Sequence, residues 1–338
     1  MKHWRETTEI VERVLRLASM GRPSALATVI GISGSAYRRP GAKFLVAEDG
    51  HTLGGVSGGC LEADVGEIAR GVISSSVPRL LHYDTGSDDR AVWGLGLGCN
   101  GSVDIFIQSA ADPPTLDTLR TVRALLDRSD TFVISTVVSG PDVGRTSIVS
   151  NDISQLRSRV ERQGPNTVFS DVLVAPPKLI VCGAGDDAMP LVAYAADAGF
   201  AVTVIDHRPA YLRTERFPAA RRLIEARPNG DLDGLPVDAQ TFVVVKMHAF
   251  EQDRDWLQLF LDTDAPYIGL LGPRARAEKL LELAGSRDSR RVYGPVGLDL
   301  AAEGPEQIAI SIVAELLAVQ ARQQPAHLRE RGAAIHAV

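Results

Sequence analysis

The sequence predicts an α/β protein, in which an N-terminal α+β domain is followed by a C-terminal Rossmann-like domain built on a doubly wound parallel sheet. Three observations support this prediction. Helical and strand patterns mix without strict alternation in the first half of the chain, which is typical of an α+β domain. After Lys178, short apolar runs alternate with helical stretches, which indicates parallel strands. A polar stretch over residues 151–177 separates the two patterns, and the prolines at its end indicate a domain boundary.

The length and composition of the chain limit the classes of protein to which it can belong. A length of 338 residues fits about two domains, which we assign to residues 1–170 and 177–322, with a polar tail at 323–338. The formal net charge of −6 argues against nucleic acid as the main partner. No apolar run approaches the roughly 20 residues of a membrane span, and the N-terminus has no secretory signal. Three widely spaced cysteines fit a reducing compartment, so we expect a cytoplasmic protein without a membrane partner.

Apolar periodicity predicts the elements of the first domain in chain order. Helices are expected at residues 9–18, 61–73 and 115–127. Strands are expected at residues 24–30, 43–47, 103–108 and 131–138. The Asp49-Gly50 pair that follows the second of these strands is a hairpin signal, which predicts a tight turn at that point.

The second domain shows the alternation of a doubly wound sheet. Strands are expected at residues 179–182, 201–205, 241–246 and 267–271. Helices are expected at residues 188–198 and 306–318. The second helix is predicted to be strongly amphipathic, and its apolar face is a candidate surface for a homodimer.

A dinucleotide-binding fingerprint follows the first strand of the second domain. Gly183, Gly185 and Ala188 fit the pattern Gly-x-Gly-x-x-Gly/Ala between a predicted strand and a predicted helix. Gly183 would allow the tight turn, Gly185 would let the backbone approach a pyrophosphate, and Ala188 would keep helix and strand close. Asp206 ends the next strand and could accept a hydrogen bond from a ribose hydroxyl. A Rossmann domain without a bound nucleotide is the alternative, since fold does not imply function.

Other polar residues near this fingerprint have two interpretations each. Asp186 and Asp187 crowd the place where a phosphate should sit, and they could instead cap the helix. His248 follows a strand, so it should face the crevice where ligands bind in open α/β sheets, or it is an ordinary loop histidine. Arg274 is placed to contact an anion, although an arginine at a helix start is equally ordinary.

Two cysteines lie in glycine-rich loops of the first domain. Cys60 lies in residues 54–62, and Cys99 lies in residues 94–101. Glycine lets a backbone fold tightly around a bound group, and several amides aimed at a thiol would favour its thiolate form. Each cysteine could equally be a small apolar side chain beneath a tight turn. Cys182 precedes the first fingerprint glycine and is predicted to lie in the core.

A cluster of polar residues precedes the first cysteine loop. Ser35, Arg38, Arg39 and Lys43 surround Pro40-Gly41, and we expect them to form an anion-binding edge near Cys60.

Several separate motifs of this sequence together resemble those of the XdhC/CoxI family. The motifs lie at residues 34–43, 57–62, 94–99, 268–274, 294–299 and 306–315, so the resemblance covers nearly the whole chain. Two residues depart from the family pattern. Tyr37 stands where the family usually has proline, which should loosen its loop slightly, and Asn100 stands where the family often has glycine.

The resemblance implies a maturation factor rather than a catalyst. Members of the family look like accessory proteins that bind the molybdenum cofactor, as molybdopterin or its dinucleotide form, and support its sulfuration by a cysteine desulfurase. They then deliver it to a molybdenum hydroxylase apo-enzyme, such as a xanthine dehydrogenase, an aldehyde oxidoreductase or a CO dehydrogenase. Cys60 is the first candidate for contact with the cofactor and its molybdenum, and Cys99 is the second. The residues implied in cofactor binding are Arg38, Ser57, Gly58, Gly59, Cys60, Glu62, Cys99, Gly183, Gly185, Ala188, Asp206 and Arg274.

Two other classes of function stay open on the sequence. The fingerprint at residues 183–206 would also suit an NAD(P)-binding oxidoreductase, in which His248 is a candidate catalytic residue. A scaffold whose Rossmann fold binds only partner proteins is the third interpretation. For the accessory protein we expect the cofactor to be sheltered between the two domains.

Overall fold

The computed structural model describes residues 2–34, 37–84, 101–149, 157–228, 234–285, 290–330 and 332. It divides into two compact units, Met1–Ala175 and Pro176–Val338, which are called unit 1 and unit 2 below. The α/β class is confirmed, with antiparallel sheets in unit 1 and a parallel sheet in unit 2.

Unit 1 contains three helices and nine strands in its described residues. The helices are α1 (Lys2–Ser19), α2 (Glu62–Ser75) and α3 (Pro113–Arg128). The strands are β1 (Ser24–Gly34), β2 (Lys43–Ala47), β3 (Thr52–Gly54), β4 (Arg79–Asp84), β5 (Gly101–Ser109), β6 (Phe132–Ser139), β7 (Thr146–Val149), β8 (Arg159–Gln163) and β9 (Asn166–Leu173). Every helix and strand predicted for this half is present, and the Asp49-Gly50 pair lies in the turn between antiparallel β2 and β3.

The strands of unit 1 form two antiparallel sheets. One has the order β3-β2-β1-β5-β4 and the other the order β7-β6-β9-β8. The sequence analysis gave no strand range for five of these strands, namely β3, β4, β7, β8 and β9. Most residues of β8 are polar and exposed, so this strand has no apolar face to reveal it. The buried strand β9 contains Ser170 and Asp171, which interrupt its apolar pattern.

A buried ion pair joins the two sheets of unit 1. The ammonium group of Lys43 on β2 donates to the carboxylate of Asp171 on β9, and each side chain is 7% exposed. Lys43 Nζ also donates to the Gly41 carbonyl at 3.0 Å, and Asp171 Oδ1 accepts from Ser158 Oγ at 3.2 Å. Both side chains are buried, so water cannot solvate either charge if its partner is removed. Separating the two sheets would break the pair and is therefore unfavourable.

Unit 2 alternates strands with helices along the chain. The strands are β10 (Lys178–Cys182), β11 (Ala201–Asp206), β12 (Arg222–Glu225), β13 (Thr241–Val245), β14 (Tyr267–Leu270) and β15 (Val292–Tyr293). The helices are α4 (Ala188–Asp197), α5 (Phe250–Leu261), α6 (Arg274–Ala284) and α7 (Gly304–Gln320). The predicted strands and helices are present, and β12, β15, α5 and α6 are additional.

The strand order of unit 2 places its ligand-binding crevice. All six strands are parallel, in the order β12-β11-β10-β13-β14-β15. Counted along the chain this is 3-2-1-4-5-6, the order of a Rossmann fold. The first strand, β10, pairs with both β11 and β13, so the order reverses there. Ligands of such sheets bind at this switch point, beyond the carboxyl ends of the strands.

The helix α7 is apolar on both faces rather than amphipathic as the sequence suggested. Ile312 and Leu316 are buried in the core of unit 2, but Ile310 and Leu317 on the opposite side are 52% and 36% exposed. The apolar spacing in the sequence came from both sets of residues, so it did not define a single buried stripe.

The Lys43–Asp171 pair generates a stability prediction. We expect Asp171→Ala to lower the free energy of unfolding of unit 1 by about 3 to 5 kcal/mol, because it leaves the buried Lys43 ammonium unpaired. The matched control is Asp117→Ala, which removes the exposed Asp117–Arg120 pair of α3 and should cost under about 1 kcal/mol. Denaturant unfolding followed by tryptophan fluorescence measures both changes. Equal stability losses in the two variants would contradict the role of the buried pair.

Candidate functional site

The first cysteine loop of unit 1 runs over residues 54–62, between β3 and α2. The loop begins where β3 packs closely against β2. A Cβ placed on Gly54 would lie only 2.3 Å from the Lys43 carbonyl oxygen, so this position requires glycine. Gly54 also has a φ of +83°, which residues with side chains rarely adopt. Cys60 lies near the end of the loop, half-buried, and packs against the apolar cluster that includes Val56 and Val65. The thiol is therefore fixed at the border between core and solvent.

The carboxylate of Glu62 organises this loop. Its Oε1 accepts from the amides of Val56 and Ser57 at 3.0 and 2.8 Å. Its Oε2 accepts from the Gly59 amide at 3.1 Å and from the Ser57 hydroxyl. Burial by itself would raise the pKa of Glu62, but these hydrogen bonds outweigh it and lower the pKa below its usual value. The loop is thus an anion-binding concavity that the chain fills with its own carboxylate.

The Ser57 hydroxyl accepts hydrogen bonds from the remaining amides of the loop. Ser57 Oγ accepts from the amides of Gly59, Cys60 and Leu61 at 3.2, 3.1 and 3.0 Å. The structure therefore differs from the expectation that the loop amides surround the sulfur of Cys60. They point at Ser57 and Glu62 because two oxygen acceptors lie within a few residues and satisfy them better than a sulfur does.

Part of the expected anion-binding edge next to this loop is already neutralised. The Arg38 guanidinium hydrogen-bonds to both oxygens of Glu6, and Lys43 is held by Asp171. Two of the four predicted cations and hydroxyls are therefore engaged inside unit 1 rather than open to an anion. Ser35 lies outside the described residues.

Tyr37 contributes an aromatic ring beside the cysteine loop. Its side chain is 70% exposed, and a Cβ placed on Gly58 would lie 3.7 Å from Cγ of the ring. The segment before β2 therefore touches the loop that carries Cys60. Cys99, the second predicted contact, lies with the rest of residues 85–100 outside the described residues.

The fingerprint loop of unit 2 lies at the switch point of the sheet. Gly183 follows β10 with a φ of +118°, and a Cβ there would lie 2.4 Å from the Lys246 carbonyl oxygen. Only glycine allows this approach to the end of β13. Gly185 lies in the turn that follows, and the fully buried Ala188 begins α4 against the sheet. The three fingerprint residues thus occupy the positions that the sequence predicted in chain order.

Asp206 is not free to receive a ribose hydroxyl as predicted. Its side chain is fully buried at the end of β11. Its Oδ2 accepts from the Ala184 amide at 2.8 Å and from Arg208 Nη2 at 2.9 Å, while Oδ1 accepts from the Arg208 amide and Nε. Burial would raise its pKa, but these bonds outweigh it and lower the pKa to about 2. A ribose contact would require Arg208 to move away.

The two aspartates of the fingerprint loop form ion pairs and do not cap α4. Asp187 occupies the N-cap position, where its side chain makes no capping hydrogen bond. Asp186 pairs with Arg216 at 2.8 Å. Asp187 Oδ1 accepts from Lys246 Nζ at 2.6 Å, and its Oδ2 lies 2.9 Å from His248 Nε2. Lys246 and His248 follow β13, so these contacts bring together the carboxyl ends of the two strands that flank the switch point.

The pKa values of Asp187 and Lys246 are both lowered from their ordinary values. Burial lowers the pKa of the Lys246 ammonium, and Asp187 offsets this only in part. Burial would raise the pKa of Asp187, but its bonds and charge contacts with Lys246 and His248 outweigh it and lower the pKa. His248 is exposed and has a φ of +59°, a strained conformation for a residue with a side chain.

Lys246 is the functional candidate that sequence reasoning missed. The sequence feature that could have identified it is a charged residue directly after the apolar run of β13, at the edge of the sheet where ligands bind. Arg274, by contrast, is exposed at the first residue of α6.

In the part of the chain that the structure describes, no group of three or more His, Cys, Asp or Glu side chains could hold a metal ion. No helix among the same residues is long and apolar enough to cross a membrane.

Comparisons with known proteins decide the family. A model described as the XdhC Rossmann domain matches residues 179–316, and a model described as the XdhC and CoxI family matches residues 17–84. A Bacillus subtilis relative is 33% identical over 313 residues, which cover 88% of this chain and 94% of the relative. The chain belongs to the XdhC and CoxI family. The resemblance seen in the sequence motifs is thereby confirmed.

The relatives of this XdhC-family chain carry two kinds of description. The Bacillus subtilis protein is described as a probable subunit of xanthine dehydrogenase. An Escherichia coli protein, 26% identical over 96% of this chain and 94% of its own length, is described as the molybdenum cofactor insertion chaperone PaoD. A crystal structure described as a xanthine dehydrogenase from Bacillus halodurans is 31% identical, with a TM-score of 0.79 over 94% of this chain and 98% of that one.

The Glu62 network generates a prediction about the cysteine loop. We expect Glu62→Gln to destabilise the loop by about 2 kcal/mol, because one acceptor oxygen becomes an amide NH₂ group that faces donors. Hydrogen–deuterium exchange should show faster exchange at the Ser57 and Gly59 amides. Glu67→Gln, an exposed site on the same helix, is the matched control and should leave these amides unchanged. Unchanged protection in the Glu62 variant would contradict the network.

The lowered pKa of Asp206 predicts part of the acid sensitivity of unit 2. A folded-state pKa of about 2, below the ordinary 3.8, stabilises the fold above pH 4 by about 2 kcal/mol, and this is lost as the pH falls from 4 to 2. Thermal melts across this range should therefore show a stability gap between the wild type and Asp206→Asn that is widest near pH 6 and narrows towards pH 2. A constant gap would show that the Asp206 charge is not the cause.

Proposed function

We propose that this chain is an accessory protein that binds the molybdenum cofactor, protects it and delivers it to a molybdenum hydroxylase. We further propose that a cysteine desulfurase acts while the cofactor is held. The observation that carries the proposal is the similarity to PaoD, which extends over 96% of this chain and 94% of that chaperone. Likeness over both units, rather than over the Rossmann unit alone, favours a shared role.

The position of Cys60 fits contact with such a cofactor. When bound, the cofactor would supply a redox-active molybdenum centre. A cysteine thiolate can bind such a centre or contact its sulfur, and Cys60 lies half-buried at a loop end. Ser57 and Glu62 hold the loop through its own amides, so the position of the sulfur is set before any ligand arrives. Their role in the proposal is to orient Cys60, not to touch the cofactor.

An NAD(P)-dependent oxidoreductase is the second candidate function. The 3-2-1-4-5-6 strand order and the placement of Gly183 and Gly185 favour it. The occupied carboxylate of Asp206 speaks against it, because Arg208 already takes the hydrogen bonds that a ribose would need. A titration with NADH and a carbonyl substrate tests this alternative, which requires both tight binding and hydride transfer.

Cofactor retention by a Cys60 variant tests the proposed function. The full chain would be produced in a host that makes the cofactor, purified without oxygen, and analysed for molybdenum by mass spectrometry and for pterin by fluorescence. We expect the wild type to co-purify with both, and Cys60→Ser to lose most of the molybdenum, because a serine hydroxyl stays protonated at neutral pH and replaces a thiolate donor poorly.

A second cysteine provides the control for this experiment. Cys182 is fully buried in unit 2, and Cys182→Ala should retain the wild-type molybdenum content. Cys99→Ser, measured beside it, assesses the second candidate contact. A Cys60→Ser chain that carries as much molybdenum as the wild type would remove Cys60 from the site. A wild-type chain that carries neither molybdenum nor pterin would contradict the function itself.

A further inference from the structure

A pocket of unit 2 lies at the switch point of its sheet. It has a cavity volume of about 120 Å³ and is open to solvent on one side. Its walls are mostly apolar and come from α4, from the end of β14 and from the first turns of α7. The apolar residues that line it are Leu191, Leu271, Pro305, Ile308, Ala309 and Ile312. Asp187 and Lys246 supply its charged groups.

The ammonium group of Lys246 is incompletely hydrogen-bonded. Its side chain is 2% exposed, and Nζ donates to Asp187 Oδ1 at 2.6 Å. Within the described residues, this is the one hydrogen bond that Nζ makes. An ammonium has three donors, and buried polar groups are nearly always paired, since an unpaired one loses its hydration without compensation. The pocket therefore presents N–H donors that need an acceptor.

The carboxylate beside Lys246 is fixed and still able to accept. Asp187 is held from one side by Lys246 and from the other by His248, whose Nε2 lies 2.9 Å from Oδ2. Each carboxylate oxygen can accept more than one hydrogen bond. The side chain of Asp187 is 29% exposed, so a ligand can reach it. A donor and an acceptor thus lie next to each other in a fixed arrangement.

The charges of this cluster select a neutral ligand. Asp187 neutralises Lys246, so a phosphate or a carboxylate in the pocket would meet a like charge at short range. An apolar molecule would leave the Lys246 donors unpaired. A flat ring with a polar edge satisfies both limits, because the ring can lie against the apolar walls while its edge meets the ion pair.

We propose that this pocket binds a planar heterocycle whose edge carries a carbonyl acceptor beside an N–H donor. Lys246 would donate to the carbonyl, and Asp187 would accept from the N–H group. Such an edge occurs in the 2-amino-4-oxopyrimidine ring that pterins and guanine share, and in the carboxamide of nicotinamide. The inference rests on the proposed function in one respect: the pterin of the molybdenum cofactor would supply the 2-amino-4-oxopyrimidine edge.

Calorimetric titration of the full, metal-free chain tests the pocket. The probes are 6,7-dimethylpterin, guanosine and NADH, so the source of the ring is identified by which of them binds. We expect saturable binding of at least one probe. Asp187→Asn, which keeps the shape of the side chain, should weaken that binding about tenfold, as should Lys246→Met. Thermal melts establish that each variant is folded.

The neighbouring carboxylate offers a matched control. Asp186 lies one residue before Asp187, but it pairs with Arg216 and does not line the pocket. Asp186→Asn should bind the probe within about twofold of the wild type. Wild-type chain that binds no probe, or a folded Asp187→Asn chain that binds as tightly as the wild type, would overturn the inference.

The outcome also separates this inference from the proposed function. A chain that retains molybdenum through Cys60 but binds no probe would overturn the pocket and leave the accessory role in place. A chain that binds a probe in the Asp187-dependent manner but never retains molybdenum would support the pocket and contradict the accessory role.

Discussion

The close approach of the fingerprint loop to the end of β13 is the constraint on which unit 2 depends. The Gly183 amide donates to the Ile205 carbonyl at 2.8 Å, and the Lys246 amide donates to the Cys182 carbonyl at 2.8 Å. A side chain at Gly183 would strike the Lys246 carbonyl and force β10 and β13 apart. Because β10 also pairs with β11, that change would open the sheet at its switch point. The same close approach brings Asp187 within hydrogen-bonding distance of Lys246. The ion pair in the crevice therefore depends on the backbone packing at Gly183.

The chain repeatedly uses its own carboxylates where a ligand could have been expected. Glu62 takes the amides of the cysteine loop, and Asp206 takes the amide of Ala184 in the fingerprint loop. Asp187 takes the ammonium of Lys246. Each contact removes the cost of burying an unpaired donor, so both loops are ordered without a bound group. A preordered site spares a ligand the entropy of arranging it.

The sequence predicted what depends on local pattern and missed what depends on distant partners. Strand β10, the fingerprint and the hairpin before β3 follow from spacing within a few residues. The carboxylate of Asp187 was interpreted as a repulsive group, because its partner Lys246 lies 59 positions further along the chain. Strand β8 was missed because it is polar and exposed. The pairing of Asp206 was missed for a short-range reason, since Arg208 folds back onto it, and a pattern of residue types does not contain that rotamer.

Glu62 already fills the anion-binding concavity of the cysteine loop, which limits what an added anion can gain there. A phosphate or other anion at the cysteine loop would have to displace Glu62, which exchanges one set of charge-assisted hydrogen bonds for another and gains little free energy. Net affinity then has to come from groups that the chain leaves incompletely used. The half-buried sulfur of Cys60 in unit 1 and the donors of Lys246 in unit 2 are two such groups among the described residues. Each of these groups can add affinity at its own loop, because it would form a bond that the chain does not already make.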